Sequence, residues 1–180
     1  ISEVNQNAGI QPVKVDKEVF ELTQRALHFS EITNGGFDIS FAAMDRIWKF
    51  DGSMDAFPDE KSLQKAIEKV GFQNIILDSV ASTIFLKFPG MKIGFGATGK
   101  SFAADQAKEI LIAQNVQAGI INASGDIALW GSQLDGSSWK IGTKHPCKIN
   151  QYADIFQMKD GAIVTSGDYQ KFVEIDGKKY

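Results

Sequence analysis

Gly94-Phe95-Gly96-Ala97-Thr98-Gly99-Lys100-Ser101 can be read in two ways, and the choice between them decides the fold. Letter for letter it fits G-x-x-x-x-G-K-[ST], the phosphate loop of nucleotide hydrolases, whose lysine holds phosphates and whose last hydroxyl holds Mg2+. That loop needs a strand before it, a helix after it, and a later strand ending in Asp for the metal. Met91–Phe95 is a candidate strand, and a helix is expected from about Ser101 to Ala113. The next strand candidate, Gly119-Ile120-Ile121-Asn122, ends in Asn and then Ala-Ser-Gly. Beyond it, strand follows strand, with Asp135-Gly136, Asp160-Gly161 and Asp176-Gly177 as hairpin-like punctuation, instead of the strand–helix alternation of a parallel sheet. The eight residues therefore read as a glycine-rich entry to a helix lying on antiparallel strands. A nucleotide hydrolase is the runner-up.

Upstream, residues 1–15 read as polar entry chain. Asp16 stands at an N-cap position, and Val19, Leu22, Ala26, Phe29 and Ile32 recur at helical spacing, which predicts a helix over 17–32 stopped by Asn34-Gly35-Gly36. Pro58-Asp59-Glu60 opens a second helix with Leu63, Ala66, Ile67 and Val70 on one face. Short strands are expected at Ile75–Leu77, Thr83–Phe88, Asp126–Trp130, Trp139–Thr143, Asp154–Met158, Ala162–Thr165 and Lys171–Ile175. Helices early and strands late give an α+β class, a mostly antiparallel sheet flanked by helices. No linker or repeat divides residues 1–180, which read as one domain trimmed at both ends.

The chain has 180 residues, 43% hydrophobic and 23% charged, with a formal net charge of −3. That is ordinary for a globular domain, and it lacks the basic stripe a nucleic-acid surface requires. No apolar run is long enough to span a bilayer. The single cysteine, Cys147, cannot form an internal disulfide. His28 and His145 have neither zinc-ligand spacing nor a Ser/Asp companion set, and Trp48, Trp130 and Trp139 read as core residues.

Several segments resemble the ApbE family, the FAD:protein FMN transferases. Asn34-Gly35-Gly36-Phe37-Asp38-Ile39-Ser40 followed by Ile47-Trp48 is similar to the family's "dGaFDiT…lW". Gly96 to Asp105 resembles "GaiaKGyavD", Ile121 to Asp126 with Gly131 resembles "vNlGGdi…G", and Val164 to Tyr169 resembles "aTSGdY". Ser2 to Asn5 is similar to "S.iN". The segments stand in the family's order and cover nearly the whole chain. Ser101 replaces the usual Gly and Phe102 the usual Tyr, while Gly94 stands where an Asp is common and so removes a carboxylate from that flavin contact.

The resemblance implies a T-fold-like core and Mg2+-dependent transfer of FMN from FAD onto a Ser or Thr hydroxyl of a target flavoprotein, with AMP leaving. It implies flavin or FAD contacts at Gly36, Phe37, Asp38, Gly94, Lys100, Thr165 and Ser166, and a Mg2+ ligand in the Ala97 main-chain carbonyl. No residue is assigned to catalysis. The metal's side-chain ligands are expected beyond Tyr180, so this chain by itself is expected to be inactive. An extracytoplasmic, envelope-anchored setting is also implied. A flavin-binding module and an FAD pyrophosphatase of the same fold are the alternatives. Read on residue type alone, Lys100 is equally a solvated lysine at a helix start, Phe37 a core residue, Asp38 a turn residue, Asn122 a satisfied buried amide and Asp105 a helix-cap or pairing residue.

Overall fold

The computed structural model describes residues 1–44, 47, 53–54, 56–145, 148, 151–165 and 173–179. The chain forms two compact units, Ile1–Phe95 with Val173–Tyr180, and Gly96–Phe172. Both lie within what the sequence presents as one uninterrupted domain.

The first unit begins with α1 (Ser2–Gln6), β1 (Val13–Lys14) and α2 (Lys17–Ile32). The polar entry chain is thus partly helix and strand, because Val4, Ala8 and Val13 are buried and pull it onto the core. Helix α2 has its expected limits, and Asn34 and Gly35 end it with φ of 50° and 81°. Its inward face is shifted from the expected one. Phe20, Thr23, Ala26 and Ser30 are buried, whereas Phe29 and Ile32 are exposed. Two hydroxyls can face the core because each donates within the helix, Thr23 Oγ1 to the Val19 carbonyl at 2.7 Å and Ser30 Oγ to that of Ala26 at 3.1 Å.

A 3-10 turn, Ile39–Met44, precedes α3 (Glu60–Ile67), which is capped by Asp59 Oδ1 accepting from the Ser62 amide at 2.9 Å. Strands β2 (Ile75–Asp78) and β3 (Thr83–Leu86) form a hairpin, and β1 adds to β3, giving an antiparallel sheet in the order β1-β3-β2. Ile84, Leu86, Met91 and Ile93 are nearly solvent-free and join Val4, Val13, Ala26, Ile39 and Ile75 in one core.

Met91–Phe95 is not a strand, contrary to the apolar pattern. Its polar backbone is satisfied elsewhere: the Ile93 amide donates to Asn5 Oδ1 at 2.8 Å, Asn5 Nδ2 donates to the Ile93 carbonyl at 3.0 Å, and the Gly94 amide donates to the Ile39 carbonyl at 3.0 Å. Asn5 therefore serves as a one-residue surrogate for a neighbouring strand. Asn5→Ala should orphan an amide and a carbonyl on a residue that is 1% exposed, at a cost of about 2 kcal/mol in denaturant unfolding. Asn7→Ala, on a half-buried residue whose side chain bonds to neighbours four positions away, Nδ2 donating to the Glu3 carbonyl and Oδ1 accepting from Gln11 Nε2, should change stability by less than about 0.5 kcal/mol. Equal effects of the two would refute the surrogate role.

In the second unit, α4 (Gly99–Ala113) packs on β4 (Gly119–Ala123) and β5 (Asp126–Trp130). Strands β6 (Trp139–Lys144) and β7 (Tyr152–Met158) pair with each other, and β8 (Gly161–Val164) pairs with β5, so the three-stranded sheet runs β4-β5-β8. The Asp135-Gly136 and Asp160-Gly161 punctuation therefore joins strands that are not each other's partners. The β4–β5 hairpin is instead turned by Ser124-Gly125 with φ of 56° and 100°, the primed geometry that suits strand twist. Trp130 is buried and its ring lies over Gly119, while Trp139 is half-buried; Trp48 and Cys147 fall outside the described residues. The chain ends in β9 (Glu174–Ile175) and β10 (Lys178–Lys179), which belong to the first unit and turn at Asp176-Gly177 as expected. The α+β class is observed, and every described ladder is antiparallel.

Candidate functional site

The residues singled out by sequence fall into two groups, one in each unit. In the first unit, the segment after α2 carries Gly36, Phe37 and Asp38. Asp38 Oδ1 accepts from the Ser40 amide at 2.7 Å and its hydroxyl at 2.6 Å, and Oδ2 accepts from the Phe72 amide at 2.9 Å. Ser40 Oγ in turn accepts from the Gly71 amide at 2.7 Å. The carboxylate is thus spent on holding the 3-10 turn Ile39–Met44 against residues 71–72, which is the local reading of a turn Asp. Phe37 is half-buried against the unit's core, and Gly36 is exposed. The Gly94 amide bond to Ile39 brings Gly94 beside this turn, where an added Cβ would lie 3.0 Å from that of Ala42.

In the second unit the chemistry gathers at the first turn of α4. Thr98 is the N-cap, yet its side chain caps nothing, and its Oγ1 is buried without a partner. Ahead of it, Gly96 and Ala97 are exposed, and a side chain at 96 would meet nothing within 4 Å, so a ligand can approach the backbone there. Lys100 Nζ donates to Asp126 Oδ1 at 3.0 Å and to the Ser124 carbonyl at 3.4 Å. Ser101 Oγ donates to Asp126 Oδ2 at 2.5 Å. Asp126 is 3% exposed. The Ser101 hydroxyl first, and then the bond and charge of Lys100, hold its carboxyl below the ordinary Asp range against an opposing contribution from burial. Val164 is the register partner of Asp126, so Thr165, which follows it and is exposed, stands at the same end of the sheet. Ser166 lies outside the described residues.

Asp126 is a member of this cluster that sequence reasoning does not reach. The sequence offers it only as one letter of the Ile121–Asp126 motif and as an acidic residue opening a strand just past a two-residue turn; its partners are 25 and 26 positions away. Asn122 is satisfied as expected, its Oδ1 accepting from the Gly125 amide at 2.8 Å, but it is exposed, because it braces a turn at the end of the hairpin. Asp105 is likewise exposed, on the second turn of α4.

The phosphate-loop reading lacks its context. Residues 91–95 form no strand, and no described ladder is parallel, whereas that loop sits at the end of a strand in a parallel sheet. Among the described residues no three His, Cys, Asp or Glu groups converge on a common point. What the first turn of α4 does offer is an uncapped helix start, an open glycine approach and one ammonium held in place. That combination suits an anion carrying more than one phosphate oxygen.

Comparison with known proteins gives one consistent result. The model of the ApbE family matches residues 1–180. A protein of Klebsiella pneumoniae (strain 342) named FAD:protein FMN transferase is 29% identical over 181 residues, covering all of this chain and 55% of the relative. A Treponema pallidum protein of the same name is 29% identical over 194 residues, covering all of this chain and 54% of its own length. The crystal structure of an ApbE protein from Thermotoga maritima superposes with a TM-score of 0.88 at 28% identity, over 99% of this chain and 58% of that one. The chain thus spans about half the length of the curated relatives it matches.

Proposed function

Since the chain belongs to the ApbE family, we propose that it forms part of an FMN transferase acting on FAD. The acceptor is a Ser or Thr hydroxyl of a target flavoprotein. In the reaction the acceptor oxygen bonds to the FMN-side phosphorus, the bond from that phosphorus to the bridging oxygen breaks, and AMP leaves with that oxygen. The acceptor's proton passes to solvent or a base. Such a transfer asks the protein for placement and charge neutralisation more than for covalent help.

The observation that carries the reading is the first turn of α4. It carries the Lys100 ammonium, held by Asp126, and a helix start without a side-chain cap, directly after a loop of exposed Gly96 and Ala97. Two linked phosphates present negative charge along a line, and a backbone free of side chains lets them approach closely. The lysine, a compact point charge, offsets charge on the pyrophosphate as the bond to AMP lengthens. Magnesium dependence and an extracytoplasmic, envelope setting belong to the same proposal. A divalent ion would supply Lewis-acid stabilisation of the pyrophosphate, and the Ala97 main-chain carbonyl would be one of its ligands. Among the described residues no helix is long and apolar enough to cross a membrane.

Calorimetric titration of the full-length protein with FAD, ADP and ATP is the first test, followed by assay of AMP release in Mg2+ with and without an acceptor protein. Uptake of FAD and acceptor-dependent AMP release are expected. ATP uptake without FAD uptake would overturn the reading. AMP release that ignores the acceptor would replace it with FAD hydrolysis.

A further inference from the structure

Resting on that reading of the site, we propose that Asp126 is the residue that positions the Lys100 ammonium for the dinucleotide's phosphates. The second unit holds two described Lys–Asp pairs, and they are built in opposite senses. In Lys108–Asp160 the lysine side chain is 19% exposed and the aspartate 74%, and Lys108 Nζ also donates to the Leu129 carbonyl at 3.0 Å. That cation is directed inward, which ties α4 to β5. In Lys100–Asp126 the exposures are 50% and 4%. Here the anion is inward and the cation retains an open face.

Asp126 is well placed for this task. It opens β5 directly after the Ser124-Gly125 turn, and its two oxygens accept from consecutive residues of α4, Lys100 at 3.0 Å and Ser101 at 2.5 Å. The Ser101 bond fixes the plane of the carboxylate, and the fixed plane in turn fixes where Nζ sits. Without it, a lysine on the first turn of a helix would be turned away by the positive end of the helix dipole and would sample many rotamers. An ammonium has three N–H groups. One goes to Asp126 and a second reaches the Ser124 carbonyl at 3.4 Å, which leaves the outer side for a phosphate oxygen. Preorganisation of this kind raises affinity by removing an ordering cost.

The test is Asp126→Asn in the full-length protein, with FAD and riboflavin as paired ligands; riboflavin has the ring and no phosphate. Bare Coulomb reasoning predicts that removing a negative charge beside an anion site tightens FAD binding. Positioning predicts the reverse: FAD about tenfold weaker, the share of one charge-assisted hydrogen bond, with riboflavin unchanged. FAD affinity equal to or tighter than wild type, or an equal loss for both ligands, overturns the proposal. Should Asp126→Asn not fold, Ser101→Ala carries the test. It leaves the ion pair and frees the carboxylate plane, so FAD should weaken about threefold, and an unchanged affinity overturns the idea. A wild-type protein that binds riboflavin but not FAD would instead overturn the transferase reading and this one with it. Wild-type FAD uptake with an indifferent Asp126→Asn would overturn only the positioning role.

Discussion

Lys100→Met is expected to weaken FAD binding by about one to two orders of magnitude, the value of a hydrogen-bonded charge on a phosphate. The substitution keeps the length of the stem and removes the ammonium. It also withdraws one of the two groups that hold Asp126, leaving a 3%-exposed carboxylate with the Ser101 hydroxyl. Breaking a buried pair can cost several kcal/mol, but half of the Lys100 side chain is open to water. Screening reduces the stability loss to about 1 kcal/mol. The two effects can be separated. The double variant Lys100→Met/Asp126→Asn removes the stranded charge, so its melting temperature should return toward wild type while its FAD affinity stays low. Lys100→Arg should lie between, because a planar fork does not place its charge where a lysine tip does. Unaltered FAD binding by Lys100→Met would remove the first turn of α4 from the site altogether.

The largest effect on folding is expected from Gly131→Ala, which should cost about 3 kcal/mol and lower the melting temperature by roughly 6–12 °C. Two penalties coincide at this position. Gly131 has a φ of +67°, where an L side chain is strained by about 1–2 kcal/mol. Its added Cβ would also run into the Gln117 carbonyl oxygen and lie 2.5 Å from the Ala118 Cβ. A backbone oxygen cannot swing aside as a side chain can, so the entry to β4 must move. That entry is where the Trp130 indole donates to the Val116 carbonyl at 2.9 Å and its ring lies over Gly119. Gly136→Ala is the control. Its φ is +79° and a Cβ added there would meet nothing within 4 Å, so only the conformational cost of about 1 kcal/mol should appear. Matching losses for the two variants would show that the close approach at 131 does not contribute.

Much of the architecture is legible along the chain. The end of α2 follows from Asn34-Gly35, the start of α3 from Asp59, and the last hairpin from Asp176-Gly177, while Asp16 stands at the N-cap of α2 without a side-chain cap bond. These signals are local: a cap or a primed turn acts within four residues, so the letters that cause it stand next to its effect. The antiparallel class is legible for the same reason, because runs of strands without intervening helices leave no crossover for a parallel sheet. The family is legible because its segments keep their order over residues 1–180.

Other features are invisible in a linear reading. Met91–Phe95 has the letters of a strand, yet its backbone is claimed by Asn5, 88 residues from Ile93, and by Ile39. Phe29 and Ile32 fit the helical stripe of α2 and still face water, while Thr23 and Ser30 go inside. Asp38 also accepts from the Phe72 amide, 34 residues away. Asp126, one letter of a motif in the linear chain, is the buried anion around which Lys100 and Ser101 are arranged. Propensity and periodicity set what each segment can become. Partners for buried polar groups are chosen by what the folded chain brings within about 3 Å, and no pattern of neighbours in sequence encodes that distance.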